Sequence, residues 1–293
     1  MNNVRRILLV VSALLLAIVV PPAAADAQSE LVREELSIPA ASNKPAAMLT
    51  ALAIRPHGAG PFPLVVMNHG NGPPNNQASL KVERFAGVAE AFARRGYAAV
   101  IVLRRGAGSS PGPYFEYMAE CNSPLHTSGL AATVNDMGDA VRHLQTLAWI
   151  DASRVVAVGN SAGGMGVVAL GASSPAGLRA VINFAGGRGA FFNSRGQRTR
   201  ICGEGEVIGL FTELGQRSRV PSLWLYSEND RSFPPESARQ FHTAYASGGA
   251  PTQFVLVGPS GADGHYYMMQ SIADWTPRVF PFLRDLGLPS QRE

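Results

Sequence analysis

The stretch Arg154-Val155-Val156-Ala157-Val158-Gly159-Asn160-Ser161-Ala162-Gly163-Gly164 constrains this chain more than any other. A β-branched apolar run ends in Gly-x-Ser-x-Gly, and Met165-Gly166-Val167-Val168-Ala169-Leu170 follows. The order reads as strand, sharp turn, helix. That context makes the pentapeptide a nucleophile elbow, with the Ser161 hydroxyl pushed out above a sheet and the Ala162 N–H facing a developing oxyanion at a helix start. In a chain with 31 glycines the pentapeptide alone carries little weight. The competing reading is an ordinary Gly/Ser loop in a βα unit.

Around the elbow, apolar strands alternate with helical patterns. Strands are expected at 48–55, 62–68, 97–103, 154–159, 179–185, 221–226 and 253–257. Helices are expected at 79–95, 129–147, 235–247 and 272–286, the second with Asp136 and Asp139 away from its apolar side. Residues 28–44 read as an extended lead-in, 104–128 as a long polar and aromatic loop, and 186–219 as an irregular insertion. The alternation predicts an α/β fold, a mostly parallel central sheet with helices on both faces. A chain of 293 residues, 46% hydrophobic, suits one such domain over 28–293.

The first 27 residues read as a signal peptide. Arg5 and Arg6 precede an apolar run from Ile7 to Val20 broken only by Ser12; Pro21, Pro22 and small residues follow, and cleavage after Ala25 or Ala27 fits. The rival is an uncleaved anchor, but the run is shorter than the roughly 18–20 residues that span a bilayer. The expected location is periplasmic or secreted, with no stable membrane anchor after cleavage. Export makes a disulfide between Cys121 and Cys202 the default, against two buried thiols. The net charge of +4 is mild and not gathered in runs, so no nucleic-acid partner is expected. No metal-ligand spacing, phosphate loop or dinucleotide fingerprint is present, so no metal or cofactor is expected.

Ligands in such sheets bind beyond the carboxyl ends of the strands. Ser161, Asp230, His265 and the loop His69-Gly70-Asn71 all fall there. A serine hydroxyl needs a base within reach. His265 fits that role, with Asp230 fixing its tautomer and Glu228 as the fallback acid. His265 as a surface-loop residue and Asp230 as a turn residue are the plain alternatives. His69 is read as shaping the loop, with Asn71 and Ala162 as oxyanion donors.

With these residues in view, the chain resembles the dienelactone hydrolase-like branch of the α/β-hydrolases. The resemblance spans roughly residues 45–285. It is carried by Val65-Val66-Met67-Asn68-His69-Gly70, Arg105-Gly106-Ala107-Gly108-Ser109, Asp139-Ala140-Val141-Arg142-His143-Leu144, the elbow, Tyr226-Ser227-Glu228-Asn229-Asp230 and Gly264-His265. It implies Ser161 as nucleophile, Asp230 as acid and His265 as base. The founding members use cysteine and are intracellular, so the expected substrate is a small-molecule carboxylic ester and not dienelactone. A peptidase or acyltransferase on the same triad, or a non-catalytic binding protein on this scaffold, are the alternatives. Loop 104–128 and insertion 186–219 leave the same sheet edge and are expected to form a small cap, pinned by Cys121 and Cys202. Arg188, Arg195, Arg198 and Arg200 read as a solvated basic face, or as a hold for a substrate carboxylate. Tyr114, Phe115, Tyr117, Phe191 and Phe192 are candidates for an apolar acyl pocket.

Overall fold

The computed structural model describes residues 31–71, 77–116, 121, 125–193, 195 and 198–291. The expected signal peptide, residues 1–27, lies outside them. Among the described residues, no helix is long and apolar enough to cross a membrane.

Ten strands form. They are β1 (Val32–Ala40), β2 (Ala47–Arg55), β3 (Phe62–Asn68), β4 (Ala98–Val102), β5 (Ile150–Asn160), β6 (Leu178–Phe184), β7 (Ala190–Phe192), β8 (Arg198–Ile201), β9 (Ser222–Ser227) and β10 (Thr252–Val257). Eight of them build one sheet in the order β1-β2-β4-β3-β5-β6-β9-β10. The pairs β1/β2 and β2/β4 are antiparallel, and every other neighbouring pair is parallel. The helices are α1 (Ala86–Ala93), α2 (His126–Leu144), α3 (Ala162–Ser173), α4 (Glu204–Arg217), α5 (Pro235–Ser247), α6 (Tyr267–Gln270) and α7 (Ile272–Asp285).

Strand alternation divides the core into two layers. Leu64 and Val66 of β3 pack on one face with Met137 of α2, Val168 of α3, Phe211 of α4 and Phe241 of α5. Val65 and Met67 face the other side, with Phe92 of α1 and Trp275 and Phe280 of α7. Both faces are covered, so the central strands are almost wholly apolar, as parallel strands must be. This is the α/β-hydrolase fold.

Several expectations need correction. The lead-in 28–44 contains β1, an edge strand in register with β2 from Val32 opposite Arg55 to Ala40 opposite Ala47. Within it only Ile38 and Ala40 are buried, which is why it reads as polar. The helix expected at 79–95 is two short 3₁₀ turns, Gln77–Ser79 and Val82–Phe85, followed by α1. The insertion 186–219 is not irregular: β7 and β8 form an antiparallel hairpin and α4 follows. Val207, Phe211 and Leu214 give α4 a buried stripe, but Gly205, Gly209 and Gly215 hide the helical signal in the sequence. Gly215 is required by packing, because a Cβ there would stand 2.0 Å from the Tyr245 carbonyl oxygen of α5. Asp136 and Asp139, expected away from the apolar side of α2, are buried and paired. Asp136 accepts from Arg105 Nε at 2.8 Å, and Asp139 from Ser42 N at 2.8 Å.

Candidate active site

β5 delivers Ser161 at φ 59° and ψ −127°, and α3 starts at Ala162. This left-handed conformation costs a non-glycine residue about 1–3 kcal/mol and persists only where its surroundings enforce it. Here they do. Ser161 N donates to the Phe184 oxygen at 3.0 Å, and its own oxygen accepts from Met165 N and Gly187 N, both at 3.1 Å. The flanking glycines are steric requirements. A Cβ on Gly159 would lie 2.2 Å from the Gly163 oxygen, and one on Gly163 would lie 2.3 Å from the oxygens of Asn68 and His69.

His265 sits on a 3₁₀ turn, Gly264–Tyr266, after β10. Asp263 caps that turn, its Oδ1 accepting from His265 N at 3.0 Å. His265 Nδ1 meets Asp230 Oδ1 at 3.0 Å and Oδ2 at 3.1 Å. Asp230 follows β9 and is buried; its Oδ1 also accepts from Ser232 N at 2.7 Å and Phe233 N at 2.8 Å. An Nδ1–H donating to Asp230 leaves Nε2 as the ring's acceptor. Glu228, the fallback acid, is exposed, and no hydrogen bond joins it to His265 among the described residues. Asn160, just before Ser161, donates through Nδ2 to the His265 oxygen at 3.1 Å, tying the elbow to the histidine turn. No hydrogen bond joins Ser161 Oγ to His265 among the described residues; catalytic contacts of this kind often tighten only when substrate is bound.

The loop after β3 passes directly against the serine: a Cβ on Gly70 would stand 2.8 Å from Ser161 Cβ. Ala162 N–H and Asn71 N–H donate to no other described residue. Tyr114 Oη donates to Asn71 Oδ1 at 2.6 Å. His69 is buried and does not face His265's role. Its Nε2 accepts from Arg104 N at 3.1 Å, and its Nδ1 donates to the Gly70 oxygen at 2.6 Å. Burial and then the Arg104 charge push its pKa down to about 3, so the ring is neutral and structural.

Beneath this loop lies a charged cluster that the sequence did not foretell. Arg104 donates to both carboxylate oxygens of Glu116, to Asn68 Oδ1 and, at 2.7 Å, to the His69 oxygen. Arg188 Nη1 reaches Glu116 Oε2 at 3.2 Å. Burial pushes the Glu116 carboxyl up, but the two guanidinium charges outweigh it and hold the pKa at about 2. Arg188 is therefore buried and ion-paired, not part of a solvated face, whereas Arg195 and Arg200 are exposed.

Ser161, His265, Gly70, Asn71, Ala162 and Arg188 share the wall of one cavity of about 640 Å³. Tyr114, Phe191 and Phe192 also line it. Phe115 does not; it lies beside the Arg105 guanidinium, 5.6 Å from its ring centroid. Tyr117 is outside the described residues. Cys121 and Cys202 form a disulfide with a Cα–Cα distance of 4.9 Å. It joins the loop before α2 to the end of the β7–β8 hairpin. Among the described residues of the insertion, Gly187 to Phe192 line the cavity and α4 does not; Phe191 and Phe192 stand 41% and 37% exposed.

Comparison with known proteins follows the same lines. The sequence profile of the X-Pro dipeptidyl-peptidase (S15 family) matches residues 47–200. No curated protein matches the sequence. Among solved structures, a candidate dienelactone hydrolase from Klebsiella pneumoniae superposes with a TM-score of 0.60 at 18% identity, covering 86% of this chain and 98% of its own. An esterase from Pyrococcus furiosus gives 0.58 at 13%, covering 89% and 92%. An acetyl xylan esterase from Paenibacillus sp. R4 gives 0.56 at 17%, covering 84% and 88%. At these identities the likeness is one of fold.

Proposed function

The chain belongs to the X-Pro dipeptidyl-peptidase (S15) family, and from that premise we propose that it is an exported serine hydrolase that cleaves a small-molecule carboxylic ester. The observation that carries this is the pairing of His265 Nδ1 with the buried Asp230, His265 sharing the wall of one cavity with a strained Ser161. In this reading Ser161 Oγ attacks the ester carbonyl while His265 Nε2 takes its proton. Asp230 stabilises the imidazolium. The Ala162 and Asn71 N–H groups receive the oxyanion. The proton passes from Nε2 to the departing alcohol, leaving the acyl group on Ser161. Water, deprotonated by His265, then releases the acid.

A second reading, dipeptide release, is favoured by the family match itself. Such an enzyme must seat the free ammonium group of a peptide. Among the described residues, the carboxylates in the cavity wall are Glu116 and Asp263. Glu116 is committed to Arg104 and Arg188, and Asp263 to the His265 and Arg231 N–H groups. That occupancy favours the ester.

The deciding experiment offers the mature protein 4-nitrophenyl esters of two to eight carbons and, in parallel, an X-Pro 4-nitroanilide. Ester turnover with a silent anilide is expected; the reverse would install the peptidase. The exported location rests on the leader alone, and N-terminal sequencing of the protein from a periplasmic fraction, starting at residue 26 or 28, tests it.

A further inference from the structure

The buried cluster under the His69–Asn71 loop contains one carboxylate between two guanidinium groups, and each guanidinium ties it to a different segment of the chain. Arg104 follows β4 and is fully buried. Besides Glu116, its donors go to Asn68 Oδ1 and the His69 oxygen, the last two residues before Gly70. Asn68 in turn donates through Nδ2 to the Gly163 oxygen at 3.1 Å, within the elbow. Arg188 stands at the root of the hairpin: Gly189, its neighbour, accepts from Cys202 N at 2.7 Å, next to the disulfide. Its Nη2 also reaches the Glu116 backbone oxygen at 3.4 Å.

We propose that Glu116 is the positioning residue of the oxyanion loop, the pivot through which Arg104 grips the Asn68–His69 backbone and Arg188 anchors the hairpin. The inference rests on the ester-hydrolase reading. Its physical basis is the planar guanidinium fork. Arg104 can hold the loop only while its Nε and Nη2 edge is fixed, and the Glu116 carboxylate is the group that fixes it. Without that carboxylate, two buried cations lose their common counter-charge and the fork is free to turn. The Gly70–Asn71 backbone, packed on Ser161 Cβ, then shifts with it. A displacement of the order of 1 Å in such a group costs about 10²-fold in rate. Binding of the ester is little affected, because the loop meets the carbonyl oxygen mainly as it becomes an oxyanion.

The test compares wild type, Glu116→Gln, Glu116→Asp and Arg104→Lys with 4-nitrophenyl butyrate, and counts competent sites by exhaustive fluorophosphonate labelling. Glu116→Gln is expected to lower kcat per labelled serine by about 10²-fold with KM within threefold, and Glu116→Asp to recover part of the loss. Arg104→Lys keeps the charge but loses the fork, so it carries the same expectation should Glu116→Gln fail to fold. A merely structural cluster would reduce the number of labelled sites and leave kcat per site within twofold, which overturns the proposal. A raised KM with kcat per site retained would make Glu116 a substrate contact, and overturns it too. Wild type that takes no label at Ser161 removes the ester-hydrolase reading itself, and this inference with it.

Discussion

The elbow and the rim line one cavity, and they are built in different ways. The elbow is local. Gly159, Ser161 and Gly163 are confined by atoms a few residues away and by the end of β3, and every constraint is a close backbone approach. The rim is assembled from afar. Glu116 and Arg188 lie 72 residues apart, and the disulfide closes a separation of 81. Steric fit sets the first, and charge pairing with a covalent clasp sets the second. Changes at the elbow should therefore act on chemistry or on folding outright, and changes at the rim on stability and fine placement.

The largest effect is expected from Asp230→Asn, which keeps the shape but admits the wrong histidine tautomer. A loss of about 10⁴-fold in kcat follows, with Glu228→Gln within twofold of wild type as the control. A comparable loss from Glu228→Gln would move the acid to the exposed residue and dissolve the contrast. Next is Gly163→Ala. Its Cβ would press on two backbone oxygens at 2.3 Å, and neither can retreat without moving β3. A destabilisation of at least about 3 kcal/mol is expected in urea titration; an unchanged midpoint would show that the elbow is looser than its geometry.

At the rim, Cys121→Ser with Cys202→Ser should lower stability by up to about 4 kcal/mol through loop closure, with kcat reduced less than tenfold. A dead but stable double variant would contradict the division of labour. The smallest effect is one of pH. His69 is held at about 3, below the unfolded value of 6.5. The unfolded chain thus binds the extra proton between those values, so this group's contribution is complete above pH 6.5 and is lost as pH falls towards 3. Glu116, held at about 2 against 4.5, loses its contribution in the same direction but lower, between about pH 5 and 2. Thermal melts of His69→Asn should show a shallower fall in Tm between pH 6.5 and 4 than wild type. Parallel slopes would refute the neutral, buried ring.

The sequence carried the sheet and the elbow because both are written in short-range patterns. Runs such as Val65-Val66-Met67 and Val155-Val156-Ala157 are buried on both faces and can be little else. Asp230 and His265 were legible from position, each following a strand at the same sheet edge, and the geometry pairs them. What escaped was long-range or disguised. Arg104 and Glu116 are a dozen residues apart in a loop with no periodicity, and their partners lie at 68–69 and 188. The arginines of the insertion gave no sign that Arg188 alone would turn inward. The helix α4 was concealed by its glycines, one of which serves the contact with α5. The paired cysteines were the exception, a long-range contact that composition and the expected leader together anticipated.

The central claim is that Ser161 is made nucleophilic by His265. Labelling the mature protein with a fluorophosphonate, and locating the adduct by mass spectrometry in wild type, Ser161→Ala and His265→Ala, tests it most directly. The account predicts one adduct, on Ser161, absent from both variants. Folded wild-type protein that takes no label, or a His265→Ala variant that labels at the wild-type rate, would contradict it.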